Sequence, residues 1–299
     1  MPYESPVQPS LPVPRLSTVS LTLVAMLAFA ANSLLCRLAL GGGLIDPASF
    51  STVRVIAGAV TLSVIVLPRW RIRGGISADW RSAAMLSAYL AFFSFAYLTL
   101  SAGTGALILF SAVQLTMFTA ALRRGESFGP FAWLGLAMAV MGLVYLVAPG
   151  LSAPDPVGAA LMAIAGIAWG MYSLRGRNVA DPLEATAANF VCAVPLVIAV
   201  SVPFAGELDG SWHGFALAAA SGSIASGLGY VVWYVALGGL TAARAATVQL
   251  SVPVIAAFGG ILLLGEAITL RLVLASAMTL GGIGIVLTQR SSGSRLGGS

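Results

Sequence analysis

The chain of 299 residues is 59% hydrophobic and only 8% charged, and its mean hydropathy of +0.96 is far above that of a soluble domain. The net charge of +5 rests on arginine alone, in short segments between apolar runs, so it reads as a membrane-topology signal and argues against nucleic-acid binding. Cys36 and Cys192 both fall inside apolar runs without CxxC spacing; neither a disulfide framework nor a zinc site is indicated, and both read as small buried side chains.

Residues 1–15 carry Pro2, Pro6, Pro9, Pro12 and Pro14, a composition that predicts a disordered lead-in. The first apolar run is too long for the core of a signal peptide and no small-residue cleavage pattern follows it, so it is expected to stay in the mature protein. Apolar spans lie at 16–40, 47–67, 80–100, 103–122 and 130–148, and again at 156–175, 183–203, 213–239, 242–264 and 268–289. These runs approach the ~20 residues needed to cross a ~30 Å hydrocarbon core. They are apolar on all faces, without the alternation of a barrel strand, which predicts an all-α polytopic membrane protein of ten transmembrane helices. Residues 290–299, rich in Ser and Gly, read as a flexible tail.

With the N-terminus in the cytoplasm, the loops on that side hold Arg15, Arg69, Arg71, Arg73, Arg81, Arg123, Arg124, Arg175, Arg177, Arg244, Arg290 and Arg295, against Arg37 and Arg271 outside. That asymmetry predicts both termini on the cytoplasmic face of a bacterial inner membrane. A shift of 140 residues aligns the chain with itself without a gap: Ser33, Leu34 and Arg37 meet Ser173, Leu174 and Arg177, and Gly125-Glu126 meets Gly265-Glu266. The chain is therefore read as two repeats, 16–148 and 149–289. An odd number of helices per repeat inserts the second half upside down, the architecture of alternating-access transporters.

Ten helices in two halves, the Gly125-Glu126 and Gly265-Glu266 pairs, and Trp169-Gly170 in the sixth span resemble the EamA-type branch of the drug/metabolite transporter superfamily, over residues 16–289. Within it the chain resembles the YddG-type exporters, which implies export of aromatic amino acids and related metabolites. The resemblance implies a central cavity lined by helices 1, 3, 4, 6, 8 and 9, with 5 and 10 packed outside. The sequence departs from this pattern with Phe29-Ala30 in the first span opposite Trp169-Gly170, and Val113 opposite Pro253.

Polar groups inside spans are costly unless paired or wetted, so each is a candidate for substrate contact. Asn32, Gln114 and Gln249 are mid-span amides, each read either as cavity lining or as a helix-to-helix hydrogen bond. Trp169 and Tyr172 share one helical face, and Tyr230 and Trp233 another; Tyr89 with Phe93, and Phe110 with Gln114, have i, i+4 spacing and complete a set of amphipathic pocket walls. Arg54, nearer the outer surface of helix 2, reads as snorkelling, as a structural pair, or as a partner for a substrate carboxylate. Glu126 and Glu266, at helix ends, read as caps or loop residues. Pro253 in helix 9 is a candidate hinge and Pro195 a kink in helix 7. His213, the only histidine, has no ligand or nucleophile set beside it in sequence, so an intramembrane enzyme, a metal and a cofactor are not expected. No Asp or Glu stands mid-span, which favours facilitated export over tight proton or sodium antiport. The expected partners are the bilayer and a small-molecule substrate, an amino acid or related metabolite; a multidrug or nucleotide-linked metabolite transporter is the alternative.

Overall fold

Helix starts in this protein are written in short polar caps. The computed structural model describes residues 17–73, 79–176, 179–207, 209–240 and 242–290. The proline-rich lead-in, most of the flexible tail, and Arg15, Arg177 and Arg295 lie outside these residues. Helix α1 (Thr18–Gly41) is capped by Ser17, α3 (Trp80–Ala96) by Asp79, α4 (Ala102–Arg123) by Ser101 and α7 (Pro182–Ser201) by Asp181. Asp46 accepts from Ala48 and Ser49 at the start of α2 (Pro47–Arg73), and Asp155 from Gly158 at the start of α6 (Pro156–Gly176). With Pro130 opening α5 (Pro130–Val147), four helices begin at a proline, where the missing N–H is no loss.

Two expected spans are interrupted. The eighth is α8 (Trp212–Ala220), a π-helical segment (Ser221–Leu228), then α9 (Gly229–Leu237). The ninth is α10 (Ala242–Gln249) and α11 (Ser251–Leu264), broken at Leu250. Pro253 explains the second break, because it lacks an N–H and its ring clashes with the Gln249 carbonyl four residues back. Pro195 lies within α7, which continues through it. Helix α12 (Leu270–Arg290) closes the chain. Nine stretches among the described residues are long and apolar enough to cross a membrane. The remaining expected span is α3, only 17 residues long, packed against α6 and α7.

The chain traverses the bundle so that residues 42–46, 97–101, 148–155, 209–211 and 265–269 gather at one end, here the Arg37 end. Arg81, Arg123, Arg124 and Arg175 stand at the other, the Arg124 end. Leu23, Val64, Leu262 and Leu263 are exposed, while Asn32, Arg54, Ser221, Ser226 and Gln249 are buried. This inside-out distribution suits a lipid solvent. Helices α5 and α12 meet through Gly135, Gly142 and Gly282, with the backbones in direct contact, as small residues allow in membranes.

Asp79 also receives two hydrogen bonds from Arg175 Nη2, at 3.1 and 2.8 Å. Partial burial raises its pKa, but hydrogen bonds from Ser82 and Arg175 outweigh this and hold it down at about 2. The depressed value means that this contribution to stability is present above the unfolded carboxylate pKa and is lost as pH falls toward 2. Asp79→Ala is expected to cost about 0.5–2 kcal/mol through the lost cap. Asp79→Asn, which retains a capping oxygen, should cost less in thermal unfolding of the detergent-solubilised protein; equal stability of wild type and Asp79→Ala would refute the role.

Candidate functional site

The centre of the bundle holds a polar cluster with an aromatic layer beside it. Asn32 on α1 donates from Nδ2 to the Tyr89 hydroxyl at 3.0 Å, and its Oδ1 accepts from Ser221 Oγ at 2.7 Å. Arg54 on α2 donates from Nη2 to the same Tyr89 hydroxyl at 3.2 Å and from Nε and Nη2 to Ser226 Oγ at 3.2 and 3.0 Å. Ser221 and Ser226 are five residues apart. The i→i+5 geometry of the π segment brings both toward the same cluster, which an α-helix would not do. Gly222 makes this close approach possible, since a Cβ there would collide with the Arg54 carbonyl.

The aromatic layer is built around Phe29 and Trp169. Phe29 lies 6.5 Å from Phe110, 6.0 Å from Trp169 and Tyr230, and 5.7 Å from Trp233 between ring centroids. Trp169 lies 5.0 Å from Tyr89, 5.6 Å from Tyr172 and 4.7 Å from Tyr230. Phe93 packs on Tyr89 at 5.3 Å. These are distances at which tilted and edge-to-face pairs attract.

Next to this layer a cavity of about 480 Å³ is lined by Gln114, Phe118, Arg124, Ser173, Trp233, Tyr234 and Gln249, among others, from the Arg124 end inward. A second, of about 340 Å³, is lined by Asp79, Tyr172, Arg175, Glu184 and Asn189, and shares Tyr234, Val179 and Pro182 with the first. The Arg37 end is crossed by a set of ties between helix ends. Arg37 Nε donates to Glu266 at 3.1 Å, and Nη1 to the Tyr97 and Leu98 carbonyls at 3.1 and 3.2 Å. Glu266 in turn accepts from Ala102 N, at 3.1 and 2.9 Å, capping α4 from another helix's end. The loops at 44–46 and 209–211 add a two-sided zipper of backbone bonds, including Asp46 N to Asp209 O at 2.9 Å and Ser211 N to Leu44 O at 2.7 Å.

The structure therefore divides the expected site residues into three groups. Gln114, Trp233 and Gln249 line the larger cavity, although each amide also bonds a backbone carbonyl, Gln114 that of Ala246 and Gln249 that of Ala245. Tyr172 lines the smaller cavity and accepts from Asn189 at 3.4 Å. Asn32, Tyr89, Phe93, Phe110, Trp169 and Tyr230 are buried in the cluster and its aromatic layer. Arg54 does not snorkel; it is wholly buried, and the neutral acceptors Tyr89 and Ser226 meet it inside. Phe29, Ser221 and Ser226 were not expected: Phe29 stood out only as a departure from its repeat partner, and the serines lie in a Gly/Ser run that reads as packing. Glu266 has the capping role expected of it. His213 follows the Ser211 cap at the start of α8, and among the described residues no group of three metal-ligating side chains comes together.

Residues 156–288 match the EamA-like transporter family. A Pseudomonas aeruginosa protein of unassigned function is 50% identical over 278 residues, covering 93% of this chain and 97% of that one. The chain belongs to the EamA-like transporter family. This EamA-like protein is also similar to an Archaeoglobus fulgidus transporter of unassigned substrate, at 24% identity over 82% of this chain and 90% of that one. It is 31% identical to the threonine/homoserine exporter RhtA of Escherichia coli over 165 residues, 54% of this chain and 55% of the exporter. A crystal structure with 20% identity shares the fold, with a TM-score of 0.63 over 89% of this chain and 98% of that one.

Tyr89→Phe would strand the buried donor Asn32 Nδ2 and leave Arg54 Nη2 with Ser226 alone. It is expected to cost about 1–3 kcal/mol, whereas Phe110→Leu, which touches no polar atom of the cluster, should cost less. Denaturant or thermal unfolding in detergent measures both; a neutral Tyr89→Phe would show that the cluster is not held by that hydroxyl.

Proposed function

We propose that this EamA-like membrane transporter exports neutral amino acids and related small metabolites across the bacterial inner membrane by alternating access between two inverted five-helix halves. The observation that carries the reading is the unequal state of the two ends: a cavity at the Arg124 end, and a ring of ties through Arg37, Glu266 and Ala102 at the other. If the arginine-rich end is cytoplasmic, the conformation faces inward, ready to load. The helix partnerships support the inverted halves. Under the 140-residue offset, α3 against α6 corresponds to the α8–α9 span against α1, and α4 against α6 to α11 against α1, while α5 and α12 pair together. Ten spans follow when α3 is counted with the nine longer stretches.

Substrate enters between Gln114, Trp233 and Gln249 and meets the aromatic layer of Phe93, Phe110, Trp169 and Tyr230, with Asn32, Tyr89 and Tyr172 supplying polar contacts. The break at Leu250 before Pro253 serves as the hinge by which the ninth span bends. The threonine/homoserine exporters among the relatives favour amino acids as cargo.

Purified protein in liposomes should exchange radiolabelled neutral amino acids, and Trp169→Ala should abolish the flux while the protein remains folded. Comparison with and without a pH gradient decides coupling; no movement of any amino acid by folded, inserted protein would overturn the cargo assignment and favour drugs or nucleotide-linked metabolites. The gate has its own readout. Cys36 is fully buried one residue before Arg37. In a Cys192→Ala background, Glu266→Gln should raise labelling of Cys36 by a membrane-impermeant thiol reagent several-fold, the response to about 1 kcal/mol of lost tie. Unchanged labelling would remove Glu266 from the gate.

A further inference from the structure

Arg54 has no role in the loading path just described, and it is the most costly side chain in the bundle. Its guanidinium stays charged at any physiological pH, and a buried charge needs compensation from its surroundings. The surroundings are neutral. Ser226 Oγ and the Tyr89 hydroxyl accept from Nε and Nη2, and the Phe93 and Tyr89 rings lie 4.8 and 5.3 Å from Cζ, close enough for cation–π attraction. Among the described residues no carboxylate pairs with Arg54, and its Nη1, fully buried, has no hydrogen-bond partner. The Tyr230 hydroxyl, also buried, has no partner at hydrogen-bonding geometry either.

We propose that Arg54 is the anchor for the carboxylate of the transported molecule, with Nη1 and the Tyr230 hydroxyl donating to its oxygens. Two unpaired donors next to a cation lacking a counter-charge make an arrangement that an oxyanion completes. One guanidinium among neutral partners matches a single negative charge, so the substrate class is the small monocarboxylates rather than phosphorylated or nucleotide-linked compounds. The organic body of the substrate then lies against Trp169 and Tyr230, which pack 4.7 Å apart between Arg54 and the cavity. Trp233, on the cavity wall, touches Phe29, and Phe29 touches both Trp169 and Tyr230. The carboxylate therefore reaches Arg54 when this layer parts, which separates loading from tight binding. The inference rests on the transporter reading above and narrows its cargo.

The test is a thermal-shift titration of the full-length protein in detergent with 3-phenylpropionate and its neutral amide, and with L-phenylalanine and L-phenylalaninamide. The acids are expected to raise the unfolding temperature at concentrations about ten-fold or more below those the amides require, the cost of leaving a charged donor without its acceptor. Arg54→Gln should erase that preference, and Arg54→Lys, which keeps the charge but not the fork, should retain part of it. If Arg54→Gln does not fold, the wild-type comparison of acid with amide decides alone. Equal responses to acid and amide, no response to either acid, or a preference that survives in Arg54→Gln would overturn the proposal. Liposome flux measured on the same preparations keeps the two readings apart: amino-acid flux without an acid preference sinks the Arg54 anchor and leaves export standing, and an acid preference without amino-acid flux does the reverse.

Discussion

A hydrocarbon layer offers no hydrogen bonds, so every polar atom carried into the bundle has to be matched by the protein itself. The cluster of Asn32, Arg54, Tyr89, Ser221 and Ser226 meets that demand for all its polar atoms but Arg54 Nη1, by recruiting α1, α2, α3 and the π segment at once. All members but Ser221 serve more than one neighbour: the Tyr89 oxygen accepts from Asn32 and Arg54, and Ser226 accepts from Arg54 and donates to Asn32. This mutual dependence accounts for local features that look irregular in isolation. The π turn brings two serines five residues apart toward one place, and Gly222 lets α2 come within backbone contact to deliver Arg54.

Helix ends obey the same constraint and decide the difference between the two faces. Gly265 adopts φ 65°, a left-handed conformation that glycine takes at little cost, and so turns the chain sharply enough to swing Glu266 back over the N-terminus of α4. There the carboxylate satisfies Ala102 N and holds Arg37, which binds the last carbonyls of α3. One short motif thus ties three helix ends together through groups that the helices leave unsatisfied. Gly125, at φ 82°, makes the same kind of turn at the end of α4, beside the cavity. In the proposed cycle, equivalent turns at opposite ends are what two inverted halves would exchange.

The aromatic layer is the third consequence. Rings cover the cluster and leave the Tyr230 hydroxyl as their one unpartnered buried polar atom among the described residues, and their tilted contacts let Phe29 and Trp169 join rings from α3, α4, α6 and α9 into one sheet of packing. The cavity stops at this layer because Trp233 stands on its wall and in the layer together. The cavity, lined in part by backbone-bonded amides, and the buried polar cluster thus stand on either side of the aromatic layer.

The all-helical membrane character, the nine longer apolar spans and the family were legible in the sequence, because hydrophobic length, proline caps and the Gly-Glu pairs are local signals that the bilayer leaves little freedom to override. The capping role of Glu266 was legible in kind, as was the choice of mid-span amides and aromatics as the polar and ring-bearing side chains of the interior. What the tertiary structure alone decided was which of them meet. Whether Gln114 faces a cavity and Asn32 a tyrosine depends on helix rotation, and apolar spans with no polar face carry almost no rotational signal. The burial of Arg54 was hidden because its partners, Ser226 and Tyr89, are distant in sequence and neutral, so no charge pattern announced them. Likewise the breaks in the eighth and ninth spans turn on a π segment and on the carbonyl opposite Pro253. Composition and punctuation set the apolar, helical character of the spans; contacts between helices, which no single helix encodes, set where the polar side chains stand.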